Sequence, residues 1–493
     1  MRNTRTDLHR VLRWIPCRPE SGDATHLHPK MDASFHPSSL RWANMATSAP
    51  IRQMGTWAAT AAVTGEAISL GIFLTPAGMA KSLGSPALIA AVWGGMALIT
   101  LAGALCFTEL AVRNPHDGGE YVYLRRGFGP RVAFLYGWMA AIVMYPGVAA
   151  ALCVGAVPYI HALFPIPASL TPFLPAILLL FAGALNYYGA RLSSSVMTVL
   201  NWLKAPVLAG LAIWALVSGH ATFANLAPLA TRRPGSDPLI AAIAGAAVSA
   251  FFCFGGWWEA GKIAGQLRNP SRTLPIAFTG GVLIVTALYL LVSLAFVAVI
   301  PLGSISSDTA FVAAFGQALF GTAGARILAA IVVLCVLGGI MLITMAVPRV
   351  TYALASAESA HGPLAAFARL HPRFQTPANA VLLQTIMALA ILFLGAFDRI
   401  LAFIVFSSVV FLALTVATLF RGGIAINRWW YPLAPIVFLT GCGLLALLLL
   451  AHSPIPSLIG AVIVLAGLPL RTLLTRSSTT PSTQLAAAPT TDN

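Results

Sequence analysis

Apolar residues run in long stretches along this chain, and two of those stretches are interrupted near the middle. Runs of roughly 20 apolar residues are long enough to carry a helix across a bilayer. About 12 such runs can be drawn, at 57–80, 86–110, 130–157, 172–190, 195–218, 238–265, 275–300, 323–356, 377–396, 398–420, 430–451 and 455–474. The first contains T-G-E-A-I-S-L-G-I-F (64–73), with Gly65 and Gly71 at its centre; the sixth contains F-F-C-F-G-G-W-W-E-A (251–260), with Gly255 and Gly256. Unwound backbone at membrane depth is tolerated only where protein or a water-filled cavity surrounds it. Paired interruptions at corresponding places of two halves point to the binding site of a membrane transporter. Interruption of the first and sixth runs predicts two five-helix halves (57–218 and 238–420) and two extra helices (430–474). Because five is odd, the second half enters from the opposite side and the halves have inverted topology.

Composition agrees with an all-α polytopic membrane protein: 58% of residues are apolar and 9% charged, with a mean hydropathy of +0.84. Soluble domains carry about 25% charged residues. The net charge of +15 does not point to nucleic acid, because the arginines fall in loops. With both termini cytosolic, only Lys81, Arg232, Arg233, Arg326 and Arg399 lie outside and Lys204 lies within a helix, leaving 23 of the 29 Lys and Arg residues inside. That bias sets the expected orientation in the cytoplasmic membrane.

The permease domain is expected over 56–476. Residues 1–55, basic and with no secretory signal, read as a disordered cytosolic extension. The Ser/Thr/Pro-rich residues 477–493 read as a disordered tail. The six cysteines stand far apart, which is neither a disulfide framework nor a metal-ligand spacing. No metal or cofactor is expected. No membrane run carries a His pair for haem, no Gly-rich phosphate loop appears, and no ring of pore-lining polar residues suggests a channel.

The breaks themselves carry chemistry. A restarting helix exposes its first N–H groups and the positive end of its dipole, so the N–H groups of Leu70, Gly71 and Ile72 can hold a carboxylate without an arginine. Carbonyls freed at Phe252, Cys253 and Phe254, with that of Ile68, can accept from an ammonium. An amino acid zwitterion matches both ends. The glycine pairs are equally compatible with close packing of helices. Four ionisable residues, Lys204, Glu66, Glu259 and Lys262, are read as standing at membrane depth. Lys204 is too deep to reach the surface without strain. Glu66 is a candidate partner for Lys204 or a proton site. Glu259 and Lys262, three apart, suit an ion pair that is structural or gating.

At these positions the sequence resembles the amino acid–polyamine–organocation superfamily, in its L-type amino acid transporter branch and bacterial relatives. The match to that family's G-x-x-I-G-S-G-I-F rests on Gly65, Ile68, Gly71, Ile72 and Phe73. The match to its F-A-Y-G-G-W rests on Phe252, Gly255, Gly256 and Trp257. E-L-A (109–111), G-G-E-Y-V-Y-L (118–124), N-P-S-R-T-L-P (269–275), R-V-T-Y-A-L-A (349–355) and H-P-R-F-Q-T-P (371–377) follow in order.

The resemblance implies a 12-helix LeuT-type fold with discontinuous helices one and six. It also implies a substrate site from Ile68, Ser69, Leu70, Gly71 and Ile72 with Phe252, Cys253, Phe254, Gly255 and Gly256, in which Phe252 gates. Lys204 would stand where sodium-coupled cousins hold sodium, with Thr344 as a partner, so transport would be sodium-independent. Neutral amino acids are the expected substrates, moved by exchange or proton symport; cationic amino acids, polyamines or a sensing role are the alternatives. Two departures stand out: Ser69-Leu70 replaces Gly-Ser, and Gln266-Leu267 replaces a Glu-Glu pair. Residues 158–171 hold no cysteine, so no disulfide-linked heavy subunit is expected.

Overall fold

A computed structural model describes residues 55–68, 71–114, 118–188, 190–301, 308–358, 363–374, 376–393, 397–421, 430–452 and 454–476. Residues 1–54 of the expected extension over 1–55, and the expected tail 477–493, lie outside the described residues, as do Ser69 and Leu70. The described residues form helices and no strand. In chain order these are α1 (Thr56–Ala67), α2 (Gly71–Leu83), α3 (Pro86–Arg113), α4 (Glu120–Phe128), α5 (Pro130–Met139), α6 (Tyr145–Leu163), α7 (Leu174–Tyr188), α8 (Ala190–Val217) and α9 (Leu239–Phe254). They continue with α10 (Pro270–Val299), α11 (Asp308–Phe320), α12 (Gly324–Ala346), α13 (Pro348–Glu358), α14 (Ala378–Leu392), α15 (Phe397–Ala417), α16 (Leu433–His452) and α17 (Pro454–Arg476). Seven helical stretches among the described residues are long and apolar enough to cross a membrane, and four shorter apolar helices accompany them.

Among the described residues the apolar runs lie mostly on helix, and several runs are subdivided. Residues 57–80 divide into α1 and α2. The run 238–265 ends as α9 and continues as a 3₁₀ segment, Trp257–Gln266. The run 323–356 divides at Val347 because Pro348 starts a new helix at its first position. Between α5 and α6 the chain makes a π-helical turn, Ala140–Met144. Helix α10 begins five residues before the apolar run at 275, with Asn269 at its N-cap and Pro270 at N1. Hydrophobicity misses α4, whose first turn carries Glu120 and last turn Arg125 and Arg126, and α11, too short to span.

The bundle turns apolar residues both inward and outward. Trp93, Phe107, Phe278 and Phe296 are fully buried, while Ile240, Leu283, Leu447 and Ile455 are exposed. Lipid supplies no hydrophobic drive between helices, so close packing through small residues takes over. Helix α10 lies along both α1 and α3. Gly281 on α10 faces Val63 on α1, where an added Cβ would sit 2.4 Å from Val63 Cγ1. Gly103 on α3 meets Phe438 and Trp257 in the same way.

The loop between α8 and α9 ties α2 to α3. Ser85 caps α3 by accepting from the Leu88 N–H, and its hydroxyl donates to the Leu229 carbonyl at 3.0 Å. Arg232 donates to the carbonyls of Leu83 and Ser82, both at 3.0 Å, supplying a cation at the negative end of α2.

Replacing Gly281 by Ala should destabilise the protein by about 1–3 kcal/mol through overpacking. Gly94→Ala, on a helix face with nothing within 4 Å, should be neutral or mildly stabilising. Thermal unfolding of the two variants in one detergent separates packing from propensity.

Candidate functional site

Helix α1 stops because Ile68 leaves helical geometry at φ −78°, ψ 87°, while its N–H still bonds the Thr64 carbonyl. The chain is helical again from Gly71. Helix α9 stops at Gly255, which is extended at φ −53°, ψ 153°, and Gly256 follows in the left-handed region at φ +92°. The glycine there meets a backbone requirement, since L side chains strain at such a φ. The two breaks lie against each other. A Cβ on Gly71 would stand 2.7 Å from Cys253 Sγ and 3.2 Å from its Cα, and a Cβ on Gly256 would stand 2.0 Å from Glu66 Cγ.

Each break frees carbonyls, and the structure bonds several of them. The Tyr289 hydroxyl on α10 lies 2.6 Å from the Ala67 carbonyl and 2.8 Å from the Cys253 carbonyl. One hydroxyl hydrogen is thus shared between the end of α1 and the end of α9. Its ring is held by Trp93 and Phe254, with centroids at 5.2 and 5.4 Å. The Phe252 carbonyl accepts from the Gly255 N–H at 3.1 Å. Cys253 Sγ meets Thr75 Oγ1 at 3.0 Å, and that hydroxyl also bonds the Gly71 carbonyl. Lys204 is buried, and its ammonium donates to the Gly65 carbonyl at 3.0 Å. A cation there complements the negative end of α1. Thr344, expected beside Lys204, accepts instead from Asn186 Nδ2 at 2.6 Å and donates to the Ile340 carbonyl.

A cavity of about 60 Å³ opens at the breaks. Of the sequence candidates, Glu66, Gly71, Phe252, Gly255, Gly256 and Glu259 line it, joined by Tyr145 and Ser408. Ile68, Ile72, Cys253 and Phe254 do not: their side chains are buried in packing behind the breaks. For Cys253 and Phe254 this corrects the expected lining. Helical periodicity turns them toward α2, α3 and α10, where the Phe254 ring packs at a steep angle against Trp93 and edge-on against Tyr289. Ser69 and Leu70 lie outside the described residues.

Glu259 and Lys262 do pair, at 2.6 Å. They stand three apart in a 3₁₀ segment, where side chains at that spacing eclipse. The pair belongs to a larger cluster. Tyr145 donates to Glu259 at 2.6 Å, Lys262 also donates to Tyr145, and Glu120 lies 3.5 Å from Lys262. Glu120 arrives through the loop before α4. There the Gly118 N–H bonds the Lys262 carbonyl and Gly119, at φ +50°, packs against the Lys262 stem. Burial raises the Glu120 carboxyl above the usual carboxylate range, and Lys262 pulls it back. One ammonium therefore serves two buried carboxylates.

Tyr289, Tyr145, Glu120 and Ser408 are among the residues that sequence reasoning missed as site members. Glu120 sits inside a quoted motif; the two tyrosines are polar interruptions of apolar runs, a signal shared by several of the chain's 10 tyrosines.

A family model described as amino acid permease matches residues 54–471. The chain belongs to the amino acid permease family. The permease is similar to the mouse large neutral amino acids transporter small subunit 2, at 29% identity over 433 residues, covering 85% of this chain and 80% of the relative. It is 26% identical over 432 residues to the serine/threonine exchanger SteT of Bacillus subtilis, covering 85% and 95%. The mouse b(0,+)-type amino acid transporter 1 matches at 29% over 290 residues, 58% of each chain. The permease is accordingly a multi-pass membrane protein and not an enzyme.

Tyr289→Phe should leave two buried carbonyls short of a donor and lower stability by about 1–3 kcal/mol, with the loss read as a fall in the thermal midpoint. Lys262→Met should cost more, about 3–5 kcal/mol, because it strands buried carboxylates. Adding Glu259→Gln to Lys262→Met should recover part of that loss in the same assay.

Proposed function

We propose that this permease is a secondary active transporter of amino acids, neutral ones first, working by alternating access in the cytoplasmic membrane with both termini cytosolic. In this reading the chain is a 12-helix LeuT-type protein. Its halves over 57–218 and 238–420 carry the broken first and sixth helices, and 430–474 adds two more. Residues 56–476 are the permease domain and 1–55 and 477–493 are extensions. The observation that carries the reading is the meeting of the two breaks at one cavity, with a glycine at each point of contact. Hinging there moves two helices without breaking a continuous hydrogen-bond ladder. The N–H end of α2 suits a carboxylate, and the apolar wall around Phe252 suits a side chain without charge.

Transport is sodium-independent in this reading, since the Lys204 ammonium already occupies a freed α1 carbonyl with a fixed positive charge. Three similar proteins carry names of amino acid transporters, one of them an exchanger, which supports exchange over proton symport. No disulfide-linked heavy subunit is part of the proposal. A second reading, transport of cationic amino acids or polyamines, draws on the two carboxylates that line the cavity, Glu66 and Glu259.

Uptake of a labelled amino acid mixture into proteoliposomes, empty or preloaded with the unlabelled mixture, tests this. Accumulation that requires preloading, persists when choline replaces sodium and favours neutral label is the expected result. Loss of uptake in choline would overturn the role of Lys204. Accumulation of cationic label alone would favour the second reading.

A further inference from the structure

Two of the four carbonyls expected to receive a substrate ammonium are already hydrogen-bonded: that of Cys253 by the Tyr289 hydroxyl, which it shares with Ala67, and that of Phe252 by the Gly255 N–H. A different acceptor stands at the same cavity. Glu66 lines it, pressed against the Gly256 backbone, and its Oε2 is shielded from solvent without a hydrogen-bond partner. Leaving one oxygen of a carboxylate unmet in such a place is costly unless a cation or a proton meets it.

The protein's own cations are committed elsewhere. The charges that act on Glu66 are Glu259, Lys204 and Lys262. Lys204 donates to the Gly65 carbonyl, and Lys262 is held by Glu259, Tyr145 and Glu120. Neither ammonium lines the cavity.

We propose that the Glu66 carboxylate receives the ammonium of the substrate, which makes an ammonium obligatory for recognition. The inference rests on the reading of the cavity as an amino acid site. A charge-assisted contact of this kind is stronger than one to a neutral carbonyl. It gives the zwitterion two opposed poles, the N–H end of α2 and Glu66, and directs the remaining side chain to the apolar wall at Phe252. With Glu259 also at the cavity, acidic side chains meet like charge and are disfavoured.

The test takes whichever labelled amino acid the reconstituted wild-type protein accumulates and competes it with two analogues. One is the corresponding amine, without the carboxylate; the other is the corresponding acid, without the ammonium. The amine should compete and the acid should not. Glu66→Gln should raise KM about tenfold or more and erase the preference for amine over acid, and Glu66→Asp should restore part of both.

Competition by the acid as strong as by the amine in the wild-type protein would overturn the proposal without any variant. So would a Glu66→Gln protein with unchanged KM that loses only its response to pH, which would make Glu66 a proton carrier. Wild-type protein that moves no amino acid would remove the reading of the site, and this assignment with it.

Discussion

Backbone polar groups released in an apolar surrounding must find partners, and this requirement organises the centre of the permease. Two helices stop within the bundle, and each leaves carbonyls that no residue of its own helix can reach. Tyr289 answers two of them with one hydroxyl, and Lys204 answers a third with an ammonium. The aromatic packing of Trp93 and Phe254 around Tyr289 holds that hydroxyl in place. Aromatic packing and break chemistry are therefore one unit: the rings position the donor, and the donor makes the breaks tolerable.

The same economy of partners governs charge. Lys262 is the only cation bonded to Glu259 and Glu120 among the described residues, and Tyr145 supplies an additional neutral donor. Glu66 shares the cavity with Glu259 and Tyr145 of this cluster, but its own Oε2 has no hydrogen-bond partner. The site is thus asymmetric. Beyond the break lies a closed network of ions and tyrosine; at the break itself lies a carboxylate whose needs are unmet by the protein.

Glycine has distinct physical roles in the two breaks. Gly256 is required by its backbone conformation, and Gly71 by proximity to Cys253. Gly281 and Gly103, far from the breaks in sequence, serve helix packing alone. The two readings that the glycine pairs first allowed, close packing and unwinding, turn out to be compatible: the helices approach closely at the point where they unwind.

Much was legible in the residues themselves. Composition and apolar run length determined a helical membrane protein, because a chain with 9% charged residues cannot cover itself in water. Glycines within two apolar runs marked where helices stop, because backbone freedom is a local property. Glu259 and Lys262 could be paired from spacing alone, since their contact is also local. Tertiary structure decided which partners lie far apart in sequence. Nothing near Tyr289 in the chain points to Ala67 or Cys253, and nothing near Glu120 points to Lys262. It also decided which side chains of the α9 break face the cavity: Phe252 does, whereas Cys253 and Phe254 turn into the packing. That depends on the rotation of a helix against its neighbours, and a sequence uniformly apolar around the helix carries no signal for it.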